Sequence, residues 1–142
     1  MKIQRTGSAH WEGGLKDGKG AITTASGALA SYPYGFASRF EGVAGSNPEE
    51  LLAAAHAACF TMALTLVLAE AGLTASALDT KAVVTLEQGD GGFFIPTVNL
   101  TLRATIPGAD DATFQAAAAG AKANCPLSKV LNAEITLDAA LV

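Results

Sequence analysis

The readiest nucleophiles in the chain are two cysteines, Cys59 and Cys125, and its readiest bases are two histidines, His10 and His56. The thiolate is the reactive form of cysteine, so each thiol is judged by what surrounds it. Cys59 falls inside a long apolar run. At helical spacing its neighbours on one face are Leu52, Ala55, His56, Met62, Ala63 and Leu66. Apolar surroundings alone raise a thiol pKa, so a reactive Cys59 needs a cation or a donor close by. His56, one turn earlier, is the polar neighbour on that face, and it reads equally as a histidine satisfied within a core. Cys125 stands just before Pro126 at the start of a helix, where free N–H groups and the positive dipole end favour a thiolate. It also fits a small buried hydrophobe at a helix junction. Two cysteines 66 residues apart suit an attacking and a resolving thiol, although spacing does not show that they meet.

Other chemistry fits less well. A cysteine acyl-transfer site needs a base held by a third group and an oxyanion hole. Cys59 with His56 on one continuous apolar helix offers no evident oxyanion donors. A metal site built from His10, His56, Cys59 and Cys125 has no compact ligand spacing. A redox sensor or binding protein using the same cysteines stays open; it would form a disulfide without sustained turnover.

The elements that must position these groups come from a chain of 142 residues, half of them apolar, which suits one domain with a core. The net charge is -4 and the nine Lys and Arg residues are scattered, so there is no basic footprint for nucleic acid or an acidic membrane. Aromatics are few and Ala is abundant. Such cores bring backbones close together and often draw on a partner subunit for buried area. The segment MKIQRTGSAH has no apolar signal region, which makes the cytoplasm the expected location. Two cysteines there are more often reactive, buried or metal-bound than a structural staple.

Residues 1–45 are rich in Gly and turns and read as an antiparallel β meander, with candidate strands at 20–25 and 36–41. In the second, Phe36, Ser38 and Phe40 share a face by period two. Ser46-Asn47-Pro48-Glu49-Glu50 is a strong helix start: Asn47 as N-cap, Pro48 at the first helical position and Glu50 closing a capping box. The central helix then covers 47–71, with Gly72 as its stop. It is apolar on nearly every side and close to membrane-spanning length. Its many Ala residues, the internal His56 and the lack of flanking Lys or Arg favour a buried core helix instead. Residues 79–106 read as a β-hairpin with the four-residue loop Gly89-Asp90-Gly91-Gly92, and Pro96 marks an edge or bulge. Residues 110–142 read as a helix capped by Asp110 or Asp111, a second short helix after Asn124-Cys125-Pro126, and a final strand from Glu134 to Leu141. The pattern is α+β, with antiparallel sheets around a long buried central helix.

The blocks Asn47-Pro48-Glu49-Glu50-Leu51-Leu52, Ala55-His56-Ala57-Ala58-Cys59-Phe60 and Cys125-Pro126-Leu127-Ser128 resemble the OsmC/Ohr family. The likeness extends to Ala9-His10-Trp11-Glu12-Gly13, Arg39-Phe40-Glu41-Gly42 and Ala133-Glu134-Ile135-Thr136-Leu137, and so to essentially the whole chain. The form around Cys59 looks like the OsmC branch. The resemblance implies an intertwined α+β homodimer with two active sites at the subunit interface, reducing organic hydroperoxides in oxidative and osmotic stress. It implies Cys59 as the peroxidatic thiol and Cys125 as the thiol that resolves its sulfenic acid into a disulfide. It also implies Arg39 as the arginine that stabilises the thiolate and Glu49 as the acid that orients it. No cofactor or metal is implied; the reductant would be a dithiol, of lipoamide type by likeness to the Ohr branch. Without the resemblance, Arg39 reads as a solvated strand charge and Glu49 as a carboxylate at a helix N-terminus.

Glu49 and Cys59 lie ten residues apart on one helix, roughly 15 Å along its axis. They cannot share a site within one straight helix. Two such helices packed antiparallel about a two-fold axis near Ala54 would bring Glu49 of one chain to Cys59 of the other. Each site is therefore expected to be completed in trans by Glu49, with Arg39 in cis or in trans. Leu52, Met62, Leu66 and the adjacent Phe60 would favour bulky apolar hydroperoxides over hydrogen peroxide, at about 0.8 kcal/mol per buried methylene.

Overall fold

In the computed structural model, which describes Met1–Val142, the chain divides into two units, Met1–Leu51 and Leu52–Val142. The first holds the expected meander: β1 (Gly7–Glu12), β2 (Lys19–Thr24) and β3 (Tyr32–Tyr34), antiparallel in the order β1-β2-β3. Gly20 on the middle strand lies opposite Trp11 on one side and Tyr34 on the other. Their rings approach to 5.4 Å between centroids, and a Cβ on Gly20 would collide with both. Glycine at this position is what lets the two rings close over the sheet.

The expected strand at 36–41 is instead a short helix, α1 (Phe36–Phe40). Positions 36 and 40 share a face under period two, but they are also one helical turn apart. Their rings in fact meet across that turn, tilted, with centroids 4.9 Å apart. Ser38 decides the matter locally. Its hydroxyl accepts the Gly35 N–H at 2.9 Å and donates to the Ser46 carbonyl at 2.8 Å, which ties the turn to the segment leading into the next helix.

That helix, α2 (Pro48–Glu70), begins and ends where expected. Asn47 Oδ1 accepts the Glu50 N–H at 2.8 Å, satisfying one of the orphan donors of the first turn. At the other end Gly72 takes φ +71° and the Leu73 N–H returns to the Leu68 carbonyl at 2.8 Å. Burial departs from expectation. Only the stripe His56, Phe60, Leu64 and Leu68 is buried, while Met62 and Leu66 are 75% and 63% exposed. One chain offers this helix a single packed face. By length and composition α2 could also cross a membrane, but the stripe from Phe60 to Leu68 belongs to the core of the second unit.

In that unit β4 (Ala77–Val84), β7 (Thr97–Thr105) and β8 (Glu134–Leu141) form a sheet in the order β4-β7-β8. β4 and β7 are antiparallel, but β7 and β8 are parallel, so the sheet is mixed and not wholly antiparallel as expected. The reason is the connection. α3 (Asp111–Asn124) and α4 (Pro126–Val130) carry the chain back to the end of the sheet where β7 starts, as a parallel neighbour requires. The hairpin is also subdivided. β5 (Glu87–Gly89) and β6 (Gly92–Phe94) make a separate ribbon whose turn is the two residues Asp90 and Gly91, not four. Pro96 sits in the break before β7, lacking the N–H that a continuous ladder would need. Phe60, Leu64 and Leu68 of α2 pack with Leu100 and Leu102 of β7 and with Phe114 of α3. Ala117, Ala118 and Ala121 keep α3 slim where it joins this cluster. Asp110 caps α3 by accepting the Thr113 N–H at 2.8 Å.

Candidate active site

Pro126 places Cys125. Proline disfavours helical ψ in the residue before it, and Cys125 has ψ 124°. α3 therefore ends there, with the Cys125 N–H bonded to the Ala121 carbonyl at 2.9 Å, and α4 restarts with Cys125 as its N-cap. This kink turns the Cys125 side chain into the core, fully buried, beneath the partly exposed Cys59 on α2. The two Sγ atoms are 3.1 Å apart, and both are free thiols. The structure thus brings together the two residues that the sequence left 66 positions apart.

At this separation the thiols act as one proton-sharing pair. Burial pushes the Cys59 thiol up, and the hydrogen bond and developing charge of Cys125 push it further, against a smaller opposing effect of the Leu127 N–H. Burial acts in the same sense on Cys125, but there it is outweighed. The Cys59 thiol, the Ser128 and Leu127 N–H dipoles and the Ser128 hydroxyl together hold Cys125 below the ordinary cysteine range. Its sulfur makes no capping hydrogen bond as a neutral thiol, so these groups act on the charge itself. Within one chain the thiolate therefore favours Cys125, the reverse of the order expected if Cys59 attacks unaided.

His56 is fully buried one turn before Cys59, with Nε2 2.8 Å from Ser128 Oγ. Its Nδ1 has no hydrogen-bond partner. Burial lowers its pKa and keeps the ring neutral.

Arg39 and Glu49 also come together, within the first unit. Arg39 Nη2 and Nε meet Glu49 Oε1 and Oε2 at 2.6 and 3.1 Å, a bidentate fork that fixes the guanidinium plane. The guanidinium lies 5.3 Å from the Phe40 ring centroid. Glu49 occupies the first turn of α2, where its charge also suits the helix dipole. Arg39 opens onto a cleft of about 210 Å³ walled by Trp11, Leu15, Tyr34, Phe36 and Phe40. Such a lining suits an apolar group beside a cation. Phe60, counted from the sequence as part of the wall near Cys59, is instead wholly buried in the core. Met62 and Leu66 do stand exposed on the helix that carries Cys59.

Sequence reasoning missed the aromatic wall and Ser128. The signal for Ser128 was present. With Cys125 as N-cap and Pro126 at the first helical position, Ser128 is the third helical residue, the place from which a side chain reaches back to the cap.

The family model described as OsmC-like protein matches residues 41–140. Peroxiredoxin OsmC of Escherichia coli (strain K12) is 54% identical over 138 residues, covering 97% of this chain and 96% of that protein. The organic hydroperoxide resistance protein of Xanthomonas axonopodis pv. citri (strain 306) is 36% identical over 99 residues, 68% of each chain. The crystal structure of the organic hydroperoxide resistance protein OhrB of Bacillus subtilis matches at a TM-score of 0.74 and 30% identity, covering 95% of this chain and 98% of that one.

Proposed function

The chain belongs to the OsmC family, and from that premise we propose that it reduces organic hydroperoxides to alcohols by a two-cysteine cycle. It is a peroxidase of the peroxide-detoxifying kind that its relatives' names describe. The observation that carries the mechanism is the 3.1 Å approach of Cys59 and Cys125 as free thiols. The Cys59 thiolate attacks one peroxide oxygen, the O–O bond breaks, and the alkoxide leaves and takes a proton. Cys59 is left as a sulfenic acid. Cys125 attacks that sulfur, hydroxide departs as water, and a disulfide remains. Closing it to about 2.05 Å asks each sulfur to move by roughly half an ångström. Prompt closure protects Cys59 from irreversible over-oxidation.

Attack requires a Cys59 thiolate, which the surroundings of the thiol within one chain oppose. A guanidinium facing the sulfur would reverse this and would stabilise the charge developing on the departing oxygen. Arg39, locked in place by Glu49, is suited to that role. α2 runs unbroken from Pro48 to Glu70, so Glu49 and Cys59 are separated by about 15 Å of one helix. The reading therefore places the Arg39–Glu49 pair of a partner subunit at each Cys59, in an intertwined homodimer. The exposed stripe Ala54, Ala58, Met62 and Leu66 on α2 supports this, because it leaves an apolar helix face for a second α2 to cover. The same face and the aromatic cleft at Arg39 favour bulky apolar hydroperoxides. A small dithiol of lipoamide type would reopen the disulfide. The cycle needs a reducing compartment, which places the protein in the cytoplasm.

The test is a thiol count on reduced protein after one equivalent of cumene or tert-butyl hydroperoxide, and in parallel of hydrogen peroxide. Wild type should lose both thiols, faster with the organic peroxides. Cys59→Ser should be inert and Cys125→Ser should halt at a sulfenic acid or oxidise further. Survival of both thiols in wild type would overturn the reading.

A further inference from the structure

His56 is the one buried titratable group that this cycle does not use. Its ring lies fully inside the core with Nε2 2.8 Å from Ser128 Oγ, and Ser128 is the third residue of the helix that Cys125 caps. Cys125 in turn lies 3.1 Å from Cys59. His56 thus meets Ser128 and Cys59 meets Cys125, and Ser128 stands at the helix position from which a side chain can reach back to the Cys125 cap. The direction of the His56–Ser128 hydrogen bond can be assigned. A buried N–H without an acceptor is rarer than an unfilled lone pair, so the unpartnered Nδ1 is the bare nitrogen and Nε2 carries the proton. Nε2–H then donates to Ser128 Oγ, and the Ser128 hydroxyl proton is free to point at the Cys125 sulfur.

We propose that His56 and Ser128 are positioning residues that hold Cys125 ready as the resolving thiolate, and so set how fast the disulfide closes. This rests on the two-cysteine reading above. In the step concerned Cys125 gives up its proton, its sulfur attacks the Cys59 sulfenic sulfur, the S–O bond breaks, and the departing hydroxide takes up a proton as water. A hydrogen bond from Ser128 to the charged sulfur raises the thiolate fraction available for that attack. No distant charge competes for the role. The core cluster to which Cys125 belongs is otherwise apolar, and includes Phe60 and Leu64 from α2, Ala121 from α3 and Leu100 from β7, with Ile135 and Leu137 from β8 packed against it. Lys122 on α3 donates to the Ile135 carbonyl, Lys129 on α4 is exposed, and Arg103 on β7 is paired with Asp138 on β8. The titratable groups left facing the Cys125 sulfur are Cys59 and, through Ser128, His56. A neutral ring keeps the direction of the His56–Ser128 bond fixed at physiological pH.

The experiment titrates Cys125 by thiolate absorbance in full-length protein carrying Cys59→Ser, alone and with Ser128→Ala, Ser128→Thr or His56→Gln. Ser128→Ala should move the midpoint up by about one pH unit, roughly a tenfold fall in thiolate at a given pH below it. Ser128→Thr, which keeps the hydroxyl, should restore it, and His56→Gln should give an intermediate rise. With both cysteines present and one equivalent of cumene hydroperoxide, Ser128→Ala should prolong the sulfenic acid, trapped with dimedone, about three- to fourfold at neutral pH, because the less acidic thiolate is also the better nucleophile. An unmoved midpoint in Ser128→Ala, or equal shifts in the Ala and Thr variants, would overturn the proposal. If wild type consumed no peroxide, the peroxidase reading would fail, while the Cys125 titration would still decide the role of Ser128.

Discussion

Replacing Arg39 with Met keeps the length of the side chain and removes its charge, and the size of the effect can be worked out. If the guanidinium of a partner subunit stands about 4 Å from the Cys59 sulfur, its attraction is about 4 kcal/mol at an effective dielectric constant of 20. Glu49 takes part of this back. Its carboxylate lies 2.6 Å beyond Arg39 Nη2. At about 7 Å from the sulfur it repels the thiolate by about 2.4 kcal/mol. The net preference is about 1.7 kcal/mol, near 1.3 pKa units, or about twentyfold in thiolate below the midpoint. The assay is the second-order rate of sulfenic acid formation with cumene hydroperoxide as a function of pH, followed in Cys125→Ser so that closure does not intervene. Arg39→Met should move the rise of the profile to higher pH by about that amount and slow the reaction at neutral pH about twentyfold. Glu49→Gln gives the sharper contrast. If Glu49 acted only through charge, its loss should speed attack. If it holds the guanidinium in its fork, attack should slow despite the electrostatic gain. A rate within threefold of the unmodified background for Arg39→Met would refute the assignment of Arg39 to the thiolate.

Three other perturbations have defined outcomes. Leu66→Glu puts a charge on the exposed apolar stripe of α2; sedimentation should show monomers, and peroxide consumption should fall with the dimer, whereas an unchanged mass would put the subunit contact elsewhere. Phe60→Ala empties a site of zero exposure in the core and should cost about 3–5 kcal/mol in urea unfolding, a loss under 1 kcal/mol being evidence against the packing described. Burial holds the His56 pKa below its ordinary 6.5, so the unfolded chain binds the extra proton first. The stability from a neutral His56 is present above that value and is lost as pH falls below it. The urea midpoint should drop between pH 7.5 and 5.5 more steeply in wild type than in His56→Gln, and equal slopes would contradict the buried neutral ring.

What the sequence disclosed and what it hid follow from the range of the forces involved. α2 was legible end to end because Asn47, Pro48 and Gly72 act within a few residues of themselves. β8 has the bounds expected of it, Glu134–Leu141. α1 was misread because positions 36 and 40 satisfy both periods, and a hydroxyl bond from Ser38 to Ser46 settled the choice. The parallel pairing of β7 with β8 was hidden because strand order depends on where α3 and α4 return the chain. The same return sets the distance between Cys59 and Cys125. Residue type marked both as candidates, but only the kink at Pro126 brings them within 3.1 Å.

The two thiols also differ in where their activation comes from. The groups that favour a Cys125 thiolate, Ser128 and the first N–H groups of α4, are built into the same few residues as Cys125 itself. Nothing comparable serves Cys59. Of the cations of the second unit, Arg103 pairs with Asp138 at 2.9 Å and Lys122 donates to a carbonyl, while Lys81 and Lys129 are exposed, and none of the four acts on the Cys59 thiol. The proposed reading takes the activation of Cys59 from Arg39, the cation held in a fork by Glu49. On the proposed reading, resolution is local to the chain, while attack waits on a second copy. A dissociated subunit would keep Cys59 protonated and slow to oxidise, yet could still close a disulfide once a sulfenic acid had formed. Single-turnover kinetics on the Leu66→Glu monomer can separate the two steps. Sulfenic acid formation should be slow and its conversion to disulfide should keep its usual rate. Equal slowing of both steps would show that the partner serves Cys125 as well.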